Sequence, residues 1–412
     1  MPWITLALRT TTPVFNGEHD QHGATIRVPS LRGAMRYWFR ALAGTAAGDD
    51  LRLLAALERE VFGSTDRQSP VVLRIPDPPG PADRAEAKFL NMPGGEHIQY
   101  LLGQGLYTRV KDARQRPHEG LTRDFVRADT EFHLDLRFTP GTSEAAASLA
   151  LASLWLLCTY GGLGARARRG FGGLRITGVT AGSLPGDWTP DDLTTPGPAY
   201  YENLDRLTAD HGALARHHAW LAALEAAPDD VTTRTAPWNG ARPTYPVLGG
   251  HTAVALHPTQ TTWPALLLNA GREWRHFRAG EHPEDGGRPH TPEYRQTIRG
   301  TSDHFPLGAL GLPITFYDPA TRNKDTVEVR KGTESLRRAS PVWFRPVGTG
   351  PRMRLFSFAF LGAFLPQEDK ELSVRLGRRT LTVTDQDLRD RASTWLETMR
   401  TGGTFTPANR ER

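Results

Sequence analysis

Residues Gly161 to Gly173 read GGLGARARRGFGG, between an apolar run that patterns as a helix and a strand candidate at Leu174 to Val179. Six of these thirteen residues are glycine and three are arginine (Arg166, Arg168, Arg169). Glycine admits positive φ and lets another chain approach without a Cβ in the way. Successive N–H groups in such a turn make an anion-binding concavity, and arginine forks match phosphate oxygens. The stretch therefore reads as a loop that holds phosphate, with Gly162, Gly164 and Gly170 shaping the backbone; the plain alternative is a Gly-rich helix exit whose arginines face water. A P-loop needs a Lys after its last glycine, and none occurs here. A dinucleotide fingerprint places its glycines between a strand and a helix, whereas here the order is helix, glycines, strand. A polymer backbone fits this loop better than a nucleoside triphosphate.

On the N-terminal side, Ala145 to Tyr160 is too short and too rich in Ala and Ser for a membrane span and patterns as a buried helix. Before it, Thr130 to Phe138 alternates as a strand. Nearer the start, PSLRGAMRYWFRALAG (residues 29–44) places Leu31, Met35, Trp38 and Leu42 on a core-facing helical stripe, with Ser30 as the expected N-cap. Arg32, Arg36 and Arg40 recur every four residues on another face, a basic ridge that is either a phosphate contact or a solvated surface. Gly33, in the first turn, costs helix stability and implies that something packs closely there. Tyr37 is a candidate for stacking on a base, whereas Trp38 lies on the apolar stripe.

Strands at residues 3–10 and Thr25 to Val28, a helix over Leu51 to Phe62 and a strand over residues 69–75 complete this part, followed by a loop at 76–95. Ile98 to Tyr107 reads as extended. Residues 108–127 read as an exposed loop carrying Arg109, Lys111, Arg114, Arg116, Arg123 and Arg127. The order strand, helix, strand, strand, helix, strand is that of a ferredoxin-like or RRM-like domain with insertions, a sheet that commonly binds single-stranded RNA. Residues 181–198 read as a linker and 201–226 as helical; a second unit begins near residue 243. It has a strand at Thr252 to His257, a helix from Trp263 to Arg278 with Arg272, Arg275 and Arg278 on one side, four further strands after the HFPLGALGLPITFYDP stretch, and a closing helix from Asp385 to Met399. The fold class is α+β, two ferredoxin-like (RRM-like) domains with insertions: residues 1–180, a linker and helical insertion at 181–242, and residues 243–412.

The 412 residues carry 50 basic and 45 acidic side chains, a net charge of +5, so any nucleic-acid argument rests on where the charge clusters. Cys158 is the only cysteine, which excludes an internal disulfide and a cysteine-based zinc cluster and points to a reducing, cytoplasmic setting. The opening MPWITLALRT reads as a strand rather than a secretory signal. His211, His217 and His218 lack a recognised metal spacing and His282, His290 and His304 read as surface residues, so neither a metal nor a cofactor is expected.

The combination TTPVFNG (11–17), IRVPSLRGAMRYWFRALAG (26–44), VFGS (61–64) and the glycine loop resembles the RAMP superfamily of CRISPR effector subunits, and within it the first subunits of type III-B Cmr complexes. HFPLGALGLPITF (304–316) and RRASPVWFRP (337–346) extend the likeness over nearly the whole chain. The resemblance implies a non-catalytic RNA-binding subunit that contacts the 3′ region of a guide RNA, the target RNA and neighbouring Cmr subunits, away from any membrane. Its RNA contacts map onto Arg32, Gly33, Arg36 and Arg40 and onto Gly162, Gly164, Arg166, Arg168, Arg169 and Gly170; Arg337 and Arg338 are a weaker correspondence. One alternative is a guide-processing endoribonuclease, for which His19 and His22 would serve as base and Asp20, Asp124 and Asp129 as scattered carboxylates. The other is a protein-only scaffold.

Overall fold

Ile4, Leu6 and Leu8 of the first strand, β1 (Ile4–Thr10), are buried on one face of a sheet, as their alternation predicts. The computed structural model describes residues 2–17, 23–82, 86–111, 117–202, 220–224, 242–279, 292–317, 324–366 and 369–402. His19, Asp20, His22, Arg114, Arg116, His211, His217, His218, His282 and His290 lie outside the described residues, as do most of the expected 201–226 helix and part of the 281–303 insertion.

α1 (Val28–Ala47) and α2 (Leu51–Phe62) precede β2 (Val71–Arg74). α1 starts earlier than its sequence suggests: Pro29 occupies its first turn, Arg27 is the N-cap and no side chain caps it, so Ser30 is not the cap and 25–28 is not a strand. Proline's fixed φ and missing N–H suit that first turn. α3 (Gly95–Leu102) replaces the extended segment expected there, because Ile98, Leu101 and Leu102 at helical spacing find a buried surface. β3 (Tyr107–Lys111) and β4 (Pro117–Leu121) then form an antiparallel hairpin within the tract read as a loop.

β5 (Glu131–Phe138), α4 (Glu144–Tyr160) and β6 (Leu174–Thr180) close the first unit. Its sheet has the order β2-β5-β1-β6 with every neighbouring pair antiparallel, the arrangement of a ferredoxin-like βαββαβ unit. Leu6 faces Leu134 and Leu8 faces Phe132, so both strands turn their apolar sides to α1 and α4. The expected linker is tied down: α5 (Pro190–Leu193) has a Thr189–Asp192 capping box, and in α6 (Pro198–Glu202) the Tyr201 hydroxyl donates to the Thr159 carbonyl at 2.7 Å.

In the second half, β7 (Thr252–Leu256) leads to α7 (Trp263–Ala279) and then α8 (Pro292–Arg299). β8 (Ile314–Tyr317), β9 (Lys324–Lys331) and β10 (Glu334–Leu336) follow, then β11 (Val342–Val347) and β12 (Arg354–Phe360). β13 (Leu372–Leu376), β14 (Arg379–Leu381) and α9 (Asp385–Thr401) complete the described chain. β11, β12 and β7 form one antiparallel sheet in that order, which matches three strands of the ferredoxin-like arrangement, with α7 and α9 as its two helices. The other five strands make a separate inserted sheet.

The three-stranded sheet is a wall between two cores. Trp343, Phe356, Phe358 and Phe360 face α1 and α4, whereas Phe344, Leu355 and Ala359 face Trp274 of α7 and Trp395 of α9. Each such buried large side chain contributes roughly 2 kcal/mol, against about 1 kcal/mol or less for a surface ion pair, so apolar burial holds the halves together.

Candidate nucleic-acid interface

The glycine loop leaves α4 at Gly161 and is clamped along its length by backbone hydrogen bonds. Leu163 N donates to Gly172 O at 2.8 Å, Ala165 N to Phe15 O at 2.9 Å, Gly172 N to Pro13 O at 2.8 Å and Arg169 N to Arg166 O at 2.7 Å. A Cβ on Gly172 (φ +72°) would lie 2.0 Å from Leu163 O, and one on Gly164 (φ +82°) 2.5 Å from Phe15 O. Gly162 and Gly170 are similarly crowded, by Phe171 O and by the Leu267 side chain. The glycines let the loop close on itself and on the TTPVFNG stretch, where a Cβ would meet protein backbone or side chain.

Arg169 makes a parallel bridge to Phe344, so the loop runs beside β11 as a short extra edge, and consecutive side chains turn to opposite faces. Arg168 lies 4.8 Å over the Trp343 ring and 5.8 Å from that of Tyr37. Arg169 lies 4.3 Å over Trp274 and donates to the Arg168 and Val342 carbonyls at 3.1 and 3.0 Å. Burial holds the Arg169 guanidinium well below its ordinary pKa, and the charges of Arg278, Arg168 and Arg166 push the same way. Arg166 is exposed and sits at φ +63°, a left-handed conformation that costs a non-glycine residue about 1–2 kcal/mol. Arg278, on α7, lies 5.9 Å over Trp274 and acts on both Arg166 and Arg169. Among the described residues, Arg166, Arg168, Arg169 and Arg278 have no carboxylate within ion-pair distance. Like charges gathered in this way raise the local positive potential, which favours an anion nearby.

The α1 ridge has a different environment. Arg32 Nη2 donates to Val71 O at 2.9 Å, Arg36 Nη2 to Phe62 O and Gly63 O at 2.9 Å each, and Arg40 Nη1 to Glu58 at 2.9 Å. These arginines pin α1 to β2 and to the end of α2. Gly33 is exposed and a Cβ there would meet nothing within 4 Å, so none of the described residues makes the close contact its sequence suggests. Trp38 is buried as expected. Arg127 pairs with Glu86 at 2.8 Å and Arg272 with Glu273 at 3.2 Å. His304 lies 3.0 Å from Asp387 at the surface. Among the described residues, Asp124 and Asp129 belong to no group of three His, Cys, Asp or Glu placed to hold a metal. Arg338 donates to Phe364 O at 2.7 Å and Ala363 O at 3.2 Å, while Arg337 is exposed. Sequence reasoning did not assign Arg278 to the site, although its spacing with Arg272 and Arg275 marked that side of α7 as basic.

The RAMP superfamily model matches residues 7–175, from β1 to the start of β6. The chain is 31% identical over 176 residues to CRISPR system Cmr subunit Cmr1-2 of Pyrococcus furiosus, covering 41% of this chain and 92% of that protein. It is 26% identical over 349 residues to Cmr1-1 of the same organism, covering 83% of this chain and 82% of that one. The crystal structure of apo Cmr1 from P. furiosus matches with a TM-score of 0.52 at 21% identity, over 95% of this chain and 97% of that one, a likeness of fold. The chain belongs to the RAMP superfamily and, within it, to the Cmr1 family of Cmr subunits. Among the described residues no helix is long and apolar enough to cross a membrane.

Proposed function

We propose that this chain is a non-catalytic RNA-binding subunit of a type III-B Cmr complex, contacting the 3′ region of the guide RNA and the target RNA through their phosphates, alongside other Cmr subunits. The observation that carries this reading is the group Arg166, Arg168, Arg169 and Arg278, crowded at the seam with no carboxylate partner among the described residues. Contacts of this kind position a backbone and leave sequence to be read by guide–target pairing. The division into units at 1–180, 181–242 and 243–412 belongs to the same proposal, with the arginines at the junction of the first and last.

The test is binding of a fluorescent single-stranded RNA to the intact chain across a salt series, for wild type and an Arg166→Ala, Arg278→Ala variant. Each phosphate contact removed makes the slope of log affinity against log salt shallower by about 0.7. Unchanged affinity and slope would reject the RNA reading and leave the arginines for an acidic neighbouring subunit. Cleavage of the RNA would overturn the non-catalytic part.

A further inference from the structure

The two ferredoxin-like arrangements differ by one strand. In the first, α4 is followed by β6, which pairs antiparallel with β1 and begins with Leu174 facing Thr10. In the second, β7, α7, β11, β12 and α9 reproduce the first five elements, and the sheet ends at β7. Among the described residues no strand runs along the outer edge of β7, where a fourth would lie.

The hydrogen bonds fix what that edge presents. His257 N donates to Leu355 O at 2.9 Å and Leu361 N to His251 O at 2.7 Å, so the odd-numbered residues of β7 face β12. Backbone groups alternate along a strand, so Thr252, Val254 and Leu256 turn theirs outward. Thr252 N donates to Gly249 O at 2.8 Å, and Val254 O accepts from the Arg400 guanidinium at 3.2 Å. Among the described residues, Val254 N–H and both backbone groups of Leu256 have no hydrogen-bond partner. Yet Val254 and Leu256 are only 5% and 6% exposed, and buried backbone N–H groups are rarely left unpaired. Arg400, which also pairs with Glu397, is half exposed, so this edge lies at the molecular surface. An extended backbone supplies the partners these groups need.

The course of the chain selects the occupant. α9 ends at Gly402 (φ +66°), where an added Cβ would lie 2.8 Å from Pro258 Cγ. Pro258 follows the C-terminal end of β7, so the chain leaves α9 where an antiparallel partner of β7 begins, as β6 begins beside the end of β1. The next residues in sequence, GTFTPANRER (403–412), lie outside the described residues. Their Thr-Phe-Thr segment has high strand propensity. With residue 402 level with Pro258, Thr404 meets Leu256 and Thr406 meets Val254. That register turns the nitrogen of Pro407, which carries no hydrogen, away from β7, the side on which an edge strand tolerates proline.

We infer that the outer edge of β7 is a strand-binding site and that residues 404–408 of the same chain fill it as a fourth antiparallel strand, Thr406 N–H replacing the Arg400 guanidinium on Val254 O. Phe405 then stands opposite Ala255, on the side of the sheet that packs against Trp395 of α9. Closing the edge also shields it from strand addition by other chains. Nothing in this pairing depends on RNA.

The experiment measures backbone amide exchange in the intact chain and in a chain ending at Gly402. The Val254 and Leu256 amides should be protected in the intact chain and lose that protection in the shortened one, while Ala253 and Ala255, which face β12, keep theirs. Thr406→Pro, which alters no described element, should release the same two amides and serves if the shortened chain does not fold. Fast exchange of Val254 and Leu256 in the intact chain, or protection that survives in either folded variant, overturns the pairing. Protection that appears only when neighbouring Cmr subunits are added, and is indifferent to both changes, also overturns it and gives the edge to a neighbour's strand.

Discussion

Arg345 donates from Nη1 to the carbonyl oxygen of Gly161 at 2.5 Å, across 184 residues of chain, and its Nη2 reaches Leu174 O at 3.1 Å. One buried guanidinium from the second half thus holds both ends of the glycine loop. Arg345→Leu leaves two buried carbonyls without donors, at about 1–3 kcal/mol each. Urea unfolding should show a loss of about 3–5 kcal/mol, and a loss below about 1 kcal/mol would mean that the loop ends are held by other contacts.

Arg166 separates stability from binding. Glycine adopts its φ of +63° freely, so Arg166→Gly should leave the unfolding midpoint unchanged or slightly higher. RNA affinity should fall and the salt slope should flatten by about 0.7, the value of one phosphate contact. A variant that is destabilised but binds RNA normally would assign Arg166 to the fold alone.

Gly33 and Gly172 should respond in opposite ways to alanine. At Gly33 the added methyl meets open space inside a helix, so Gly33→Ala should stabilise the chain by about 0.5–1 kcal/mol. If RNA or a neighbouring subunit lies against that turn, the same variant binds it more weakly while being more stable. Gly172→Ala places a methyl against the Leu163 carbonyl at positive φ and should prevent the loop from closing, seen as loss of soluble, cooperatively unfolding protein. Normal folding of Gly172→Ala would refute the internal role given to the loop glycines.

Asp135 gives a pH-dependent prediction. Burial pushes its carboxyl up, but hydrogen bonds from Arg74 and Thr5 and the Arg74 charge outweigh this and hold it below its ordinary value. A folded-state value below the unfolded one stabilises the protein above the unfolded pKa, and that stability is lost as pH falls through the folded value. Arg74 is more than half exposed, which trims the contribution, so Asp135→Asn should cost about 1–2 kcal/mol at pH 7. The gap from wild type should narrow below about pH 4. Paired denaturation curves at pH 7 and pH 4 and below check this, and a gap independent of pH would exclude the carboxylate as its source.

What the sequence made legible follows from how local each signal is. β1, β5 and α4 are written in short periodic patterns that a neighbouring residue confirms, and the resemblance rested on motifs in chain order. The partners of Arg32 and Arg36 are Val71, Phe62 and Gly63, 26 to 39 residues away, and no spacing rule reports such a contact. The same holds for the loop glycines: composition showed that close approach was needed, but the approaching groups, Phe15 and Leu163, are set by the packed fold. Ile98 to Tyr107 reads as extended yet begins inside a helix, because a short apolar run fits strand and helix equally until its burying surface is known. Arg278 comes near enough to Arg166 for their charges to interact only through the tertiary fold.

The loop is stitched to Pro13 and Phe15 on one side and to Phe344 on the other. A load applied to its arginines is therefore shared at once by the four-stranded and the three-stranded sheets. On the proposed function, a polyanion seated there would act as a rivet: by mass action it would stabilise both halves of the molecule together, and melting in its presence should be a single sharper event.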